Sequence, residues 1–177
     1  METSVNDTSD LWEEELFAAI ERGRWTIVRR MLDRRLSGYG GAGTPPLHLA
    51  VQLDRADIVK ALLAREQDVN EAYAGFTPLH HALYQEIAMV DLLLAHGADV
   101  NTPSTQHAHT PLETVLRIAS RWRNMDAIAH ALLEAGADPN VVASDDQPIL
   151  QFAVQREQTS IVHDLIAHGA DVNAAGI

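Results

Sequence analysis

A chain of 177 residues with 46% hydrophobic side chains can bury a substantial apolar interior, and its lack of cysteine excludes disulfides and thiolate metal centres. Its formal net charge of −12, with an isoelectric point near 5.0, opposes nucleic-acid backbones and favours a protein partner with a basic or neutral surface. No stretch approaches the roughly 18 apolar residues of a membrane span, and the first residues lack the basic start and apolar run of a leader, so a cytoplasmic chain is expected.

In chain order, residues 1–9 are polar and expected to be disordered. Residues 10–38 hold the apolar and small residues Leu16, Ala19, Ile20, Gly23, Ile27, Val28, Met31 and Leu32 and are read as a helix pair. Trp12 and Trp25 are assigned to the interior of this pair. Arg22, Arg24, Arg29, Arg30, Arg34 and Arg35, set against Glu13, Glu14 and Glu15, are read as its solvated faces. The run Gly38-Tyr39-Gly40-Gly41-Ala42-Gly43 has neither the strand-to-helix context of a dinucleotide loop nor a following Lys-Ser/Thr, and is read as a flexible turn.

From residue 39 onward one pattern recurs. Pro45-Pro46-Leu47-His48, Thr77-Pro78-Leu79-His80, Thr110-Pro111-Leu112-Glu113 and Pro148-Ile149-Leu150-Gln151 each open a helix, and Pro46, Pro78 and Pro111 are spaced by 32 and 33 residues. The step from Pro111 to Ile149 is 38, so the fourth unit holds an insertion, placed at Arg117 to Asn124 and predicted to extend its first helix. Each first helix carries a narrow apolar stripe at i, i+3, i+4, such as Leu79, Ala82 and Leu83. Each second helix carries paired aliphatics one turn apart, such as Met89/Val90 with Leu93/Leu94. Asp68-Val69-Asn70, Asp99-Val100-Asn101, Asp138-Pro139-Asn140 and Asp171-Val172-Asn173 close the units, the last three preceded by Gly97, Gly136 and Gly169 at the helix terminus. Thr77 and Thr110 are placed as N-caps before proline, whereas Pro45 and Pro148 forfeit a cap worth about 0.5–2 kcal/mol. Glu66 stands where the other units have the terminating glycine and predicts a strained turn.

A repeat near 33 residues with these residues resembles the ankyrin repeat, whose consensus runs through TPLH, small apolar pairs, a second aliphatic helix and GADVN. The resemblance covers residues 11–175 and implies an all-α solenoid of about five helix-turn-helix units, a degenerate N-terminal cap at about 10–38 followed by units at about 39–71, 72–104, 105–142 and 143–177, in one domain spanning 10–177. It implies that His48 and His80 tie adjacent turns through local hydrogen bonds. It also implies a turn-stabilising use for Asn70, Asn101, Asn140 and Asn173, with hydroxylation as the alternative.

No nucleophile elbow, phosphate-cradling loop or His-Glu-x-x-His helix is present in the sequence, so no catalytic residue, cofactor or metal ligand is assigned and the chain is expected not to be an enzyme. The alternative is a metal-dependent hydrolase built on His107 and His109, which lacks a third ligand nearby in sequence. His96 and His168, in the last turns of their helices, are placed beside exposed carbonyls.

The resemblance implies a non-catalytic protein-protein interaction module that binds through a concave face and turn tips, as an inhibitor or immunity-type protein, an adaptor or an effector. Carried over by position, the tips are Thr44, Tyr73, Phe76, Gln106, His107, His109, Asp145 and Gln147. The first helices contribute Gln52, Leu53, Tyr84, Gln85, Arg117, Gln155 and Arg156, and the insertion adds Trp122. Tyr73, Phe76 and Tyr84 gather on the third unit in a chain with 5% aromatics, the chemistry of an interface anchor. The last unit has the pattern of an interior one, so its outer apolar face is expected to meet a second copy, a partner or further chain; self-assembly through that face is the remaining functional alternative.

Overall fold

A computed structural model describes residues 7–35, 44–118, 124–143 and 146–174. They contain ten helices: α1 (Asp7–Glu21), α2 (Trp25–Arg35), α3 (Pro46–Gln52), α4 (Ala56–Leu63), α5 (Pro78–Ala82), α6 (Ile87–Ala95), α7 (Pro111–Ile118), α8 (Met125–Glu134), α9 (Ile149–Gln155) and α10 (Thr159–Ala167). The fold is all-α. Helix α1 begins at Asp7, inside the segment expected to be disordered, so that expectation fails for residues 7–9. The predicted extension of α7 through the insertion lies outside the described residues.

The chain divides into two compact units, 1–69 and 70–177. In the first, α1 packs on α2 and α4, and α3 packs between α2 and α4 in sequence order. Its interior is Leu16, Ile20, Val28 and Leu32 against Leu47, Leu49, Ile58 and Leu62, all fully or nearly fully buried. Trp12 and Trp25 are half-buried at its margin, not interior, while Arg22, Arg24, Arg30 and Arg34 are exposed. Glu66 adopts φ 59°, the left-handed conformation that glycine takes at the matching Gly97, Gly136 and Gly169.

The second unit holds three hairpins, α5–α6, α7–α8 and α9–α10. The second helices pack side by side, α8 against both α6 and α10, and α7 lies against α9. The stripes read from sequence are the buried ones: Leu79, Ala82 and Leu83; Leu112, Val115 and Leu116; Met89, Val90 and Leu93; Ile128, Ala129 and Leu132. A fully buried leucine or valine contributes about 1.5–3 kcal/mol relative to exposure, so these rows supply most of the stability. In the last hairpin Ala153, Ile161 and Leu165 are equally buried, but Val154 is 55% exposed, where Leu83 and Leu116 are 0%.

The Asp-x-Asn sentences form a ladder. Asn70 donates its amide to the Gly97 carbonyl at 3.1 Å and accepts the Asp99 N–H at 2.8 Å. Asn101 does the same with Gly136 and Asp138, at 3.0 and 2.9 Å, and Asn140 with Gly169 and Asp171, at 3.2 and 2.8 Å. Within each sentence the aspartate accepts the N–H of the asparagine two residues on, Asp99 from Asn101 and Asp138 from Asn140, both at 2.8 Å. One side chain thus satisfies a carbonyl orphaned by the helix C-terminus and an adjacent amide.

Two stability changes follow from these geometries. Glu66→Gly is expected to raise the urea midpoint of the first unit by the equivalent of about 1 kcal/mol, because it removes the left-handed penalty of a side chain. Asn101→Ala is expected to lower the stability of the second unit by about 1–3 kcal/mol, two hydrogen bonds of about 0.5–1.5 kcal/mol each being lost; a denaturation curve unchanged from wild type would contradict the ladder's role.

Candidate functional site

Two turn tips frame the site. Tyr73 and Phe76 exchange backbone hydrogen bonds at 2.9 and 3.1 Å, closing a hairpin tip whose central Ala74 and Gly75 have φ 51° and 88°. Two positive φ values are what such a tight turn needs, and a side chain at position 75 would also strike Thr105 Oγ1 at 2.6 Å. The next tip is held against it. Thr105 donates its N–H to the Gly75 carbonyl and Gln106 donates its side-chain amide to Ala74, both at 2.9 Å. Gln106, expected to meet a partner, is therefore engaged in joining the tips.

Beneath the tips the fourth motif position decides what each repeat presents. In α5 His80 is buried; its Nδ1 accepts the Thr77 N–H at 3.2 Å and lies 2.8 Å from the Thr77 hydroxyl, which leaves the Nε2–H to point at the His109 carbonyl, 3.4 Å away. This is the local tie expected of it. Burial holds its pKa below the ordinary histidine value, with the His109 carbonyl opposing that shift. In α7 the same position is Glu113, also buried, whose N–H donates to the Thr110 cap at 3.2 Å. A carboxylate there needs a cation, and Arg117, one turn on, donates from Nε and Nη2 to Glu113 Oε1 at 2.9 Å each. His109 Nε2 stands 3.6 Å from the same oxygen.

Between these elements lies a cleft of about 450 Å³ lined by Phe76, His81 and Tyr84 on one side and by His107, Arg117 and Ile118 on the other, with His80, Ser104, His109 and Thr114 completing it. The Phe76 ring lies 5.7 Å from the His81 ring and 6.2 Å from His107, which in turn lies 5.6 Å from His109. Tyr84 is 46% exposed. Arg117 then reaches the next repeat: its guanidinium carbon is 5.0 Å from the centre of the Phe152 ring, and that of Arg156 is 4.3 Å from the same ring, inside the range of a cation–π contact.

Of the residues carried over from the sequence, Phe76, Tyr84, His107, His109 and Arg117 line this one cleft, and Arg156 stands beside it through Phe152. Tyr73, Gln85 and Gln147 are half-buried, and Gln155 is exposed. Thr44 is corrected: at 3% exposure it is part of the first unit's interior surface and offers no side chain to a partner. Gln52 and Leu53 are half-buried in that same unit. Trp122 and Asp145 lie outside the described residues. Sequence reasoning missed His81, Thr114 and Phe152, which hold equivalent places one residue beyond the fourth motif position; reading down that column would have found them. Among the described residues no group of three or more His, Asp or Glu side chains is gathered as metal ligands. His96 and His168 donate from Nδ1 to the Leu92 and Asp164 carbonyls at 2.8 and 2.7 Å, the helix-end use expected of them.

Comparison with known proteins agrees with these geometries. A family model described as ankyrin repeats in three copies matches residues 16–104, and one described as ankyrin repeats in many copies matches residues 116–166. The chain belongs to the ankyrin repeat family. It is 29% identical over 165 residues to a putative ankyrin repeat-containing protein of Treponema pallidum, covering 90% of this chain and 42% of that protein. It is 28% identical over 169 residues to human ankyrin repeat and SOCS box protein 6, covering 89% and 39%. It is 36% identical over 125 residues to the putative ankyrin repeat protein YahD of Escherichia coli, covering 63% and 58%. The chain thus spans less than two thirds of the length of each of these relatives. No helix among the described residues is long and apolar enough to cross a membrane.

The histidine tie carries a pH dependence of definite sign. Because folding depresses the His80 pKa, the unfolded chain takes up its proton first, so the contribution of this residue is complete above about pH 6.5 and is lost as pH falls below it. His80→Gln is therefore expected to flatten the fall in urea midpoint between pH 7.5 and 5.5, checked by paired denaturation curves of wild type and variant at about those values.

Proposed function

We propose that this chain is a non-catalytic binding module that recognises a protein partner with the first-helix face and turn tips of its second unit. Ankyrin repeats are generally protein-protein interaction modules, and the class is supported by the family. The observation that carries the placement is the cleft formed by Phe76, His81 and Tyr84 opposite His107, Arg117 and Ile118. Large rings at a partly open centre, on short helices locked by buried stripes, are the arrangement that interface hot spots favour: contact area is high and little side-chain freedom remains to be lost.

The placement is tested with the double variant Tyr84→Ala, His107→Ala, two side chains that can be shortened without opening the buried rows. A partner captured from the native organism by the wild-type chain is expected to be lost, or weakened at least about tenfold, with the variant while its thermal midpoint stays within a few degrees of wild type. Equal retention of that partner by both proteins would place the binding face elsewhere.

A further inference from the structure

From residue 70 to the end the chain carries thirteen Asp and Glu, no lysine and only four arginines, Arg117, Arg121, Arg123 and Arg156. Positive charge is therefore scarce in the second unit, yet the two arginines described by the structure converge on one ring beside one cleft. Arg117 is balanced by Glu113. Arg156 is exposed and makes no ion pair among the described residues; its guanidinium carbon lies 4.3 Å from the centre of the Phe152 ring, and Phe152 is only 4% exposed. A guanidinium resting on a buried ring loses less freedom when a carboxylate binds it than a free one does, and its fork of N–H donors matches a carboxylate.

We propose that the partner segment recognised here is acidic and aromatic: one aromatic side chain enters the cleft against Tyr84, His81 and His107, and a neighbouring Asp or Glu carboxylate pairs with Arg156. The two halves of the site are joined through Arg117, which walls the cleft and touches the Phe152 ring on which Arg156 rests. This reverses the partner charge expected from the net charge of the whole chain, because a carboxylate in direct contact with Arg156 meets that guanidinium at close range, whereas acidic groups more than about one Debye length away, about 8–10 Å, are screened. The inference rests on the first-helix face being the binding face, and goes beyond it in naming what that face selects.

The 177-residue chain is immobilised and panned against a display library of random linear peptides, and a representative enriched peptide is synthesised. Enriched sequences are expected to place Trp, Tyr or Phe within a few residues of Asp or Glu. The synthetic peptide is expected to bind about tenfold more weakly to Arg156→Glu and to Tyr84→Ala, both retaining the wild-type urea midpoint, and to weaken as NaCl rises from about 50 to about 300 mM. Enrichment of basic sequences that still require Tyr84 would overturn the carboxylate assignment and leave the binding face standing. Acidic aromatic peptides that bind both variants as well as wild type would overturn both readings. So would the absence of any enrichment. Sedimentation showing a wild-type dimer that Arg156→Glu or Tyr84→Ala converts to monomer would assign the cleft to a second copy, and an Arg156-dependent affinity for a labelled single-stranded oligonucleotide would assign it to nucleic acid; either result refutes the acidic segment.

Discussion

The asparagine that closes each repeat is the interaction on which the second unit depends. A helix end leaves carbonyls without partners, and a turn leaves an amide; Asn70, Asn101 and Asn140 each meet one of both with a single planar amide. The apolar rows contribute more free energy, but burial is non-directional and would tolerate a helix sliding along its neighbour. Paired hydrogen bonds at 2.8–3.2 Å do not tolerate it. The rows thus hold hairpins together, and the asparagines fix the register in which they are held.

Fixed register is what turns equivalent positions into a surface. His81, Thr114 and Phe152 occupy one column, Tyr84, Arg117 and Gln155 a second, and Gln85, Ile118 and Arg156 a third. Each repeat contributes one chemistry per column, so the site is assembled from small differences between similar hairpins. The largest difference is the exchange of histidine for glutamate at position 113. Where His80 bonds to Thr77 in its own turn and reaches the His109 carbonyl of the next tip, Glu113 is a buried acid that draws Arg117 one turn along α7, and Arg117 in turn reaches Phe152. One substitution in the motif thereby links the cleft to the next repeat.

The first unit follows the same construction with weaker terminal devices. Pro45 supplies no side-chain cap to α3, and Glu66 holds a left-handed turn that glycine holds elsewhere. Neither disrupts the hairpin, because Leu47, Leu49, Ile58 and Leu62 are buried regardless. Local signals worth about 1 kcal/mol each are overridden where the buried rows are intact.

The sequence by itself determined the family, the helix boundaries near Pro46, Pro78 and Pro111, the buried rows, and the left-handed turn at Glu66, because each is set by spacing or by one residue's conformational preference. It also made Phe76, Tyr84, His107 and Arg117 legible as surface candidates, since repeat position alone assigns a face. It could not show that Thr44 is buried, that Gln106 is occupied in joining two tips, or that Arg117 reaches Phe152 of the next repeat. Those facts depend on which side chains from different repeats come within a few ångströms of one another. That proximity is decided only when the hairpins stack, because contacts across 30 or more residues of chain leave no trace in local pattern.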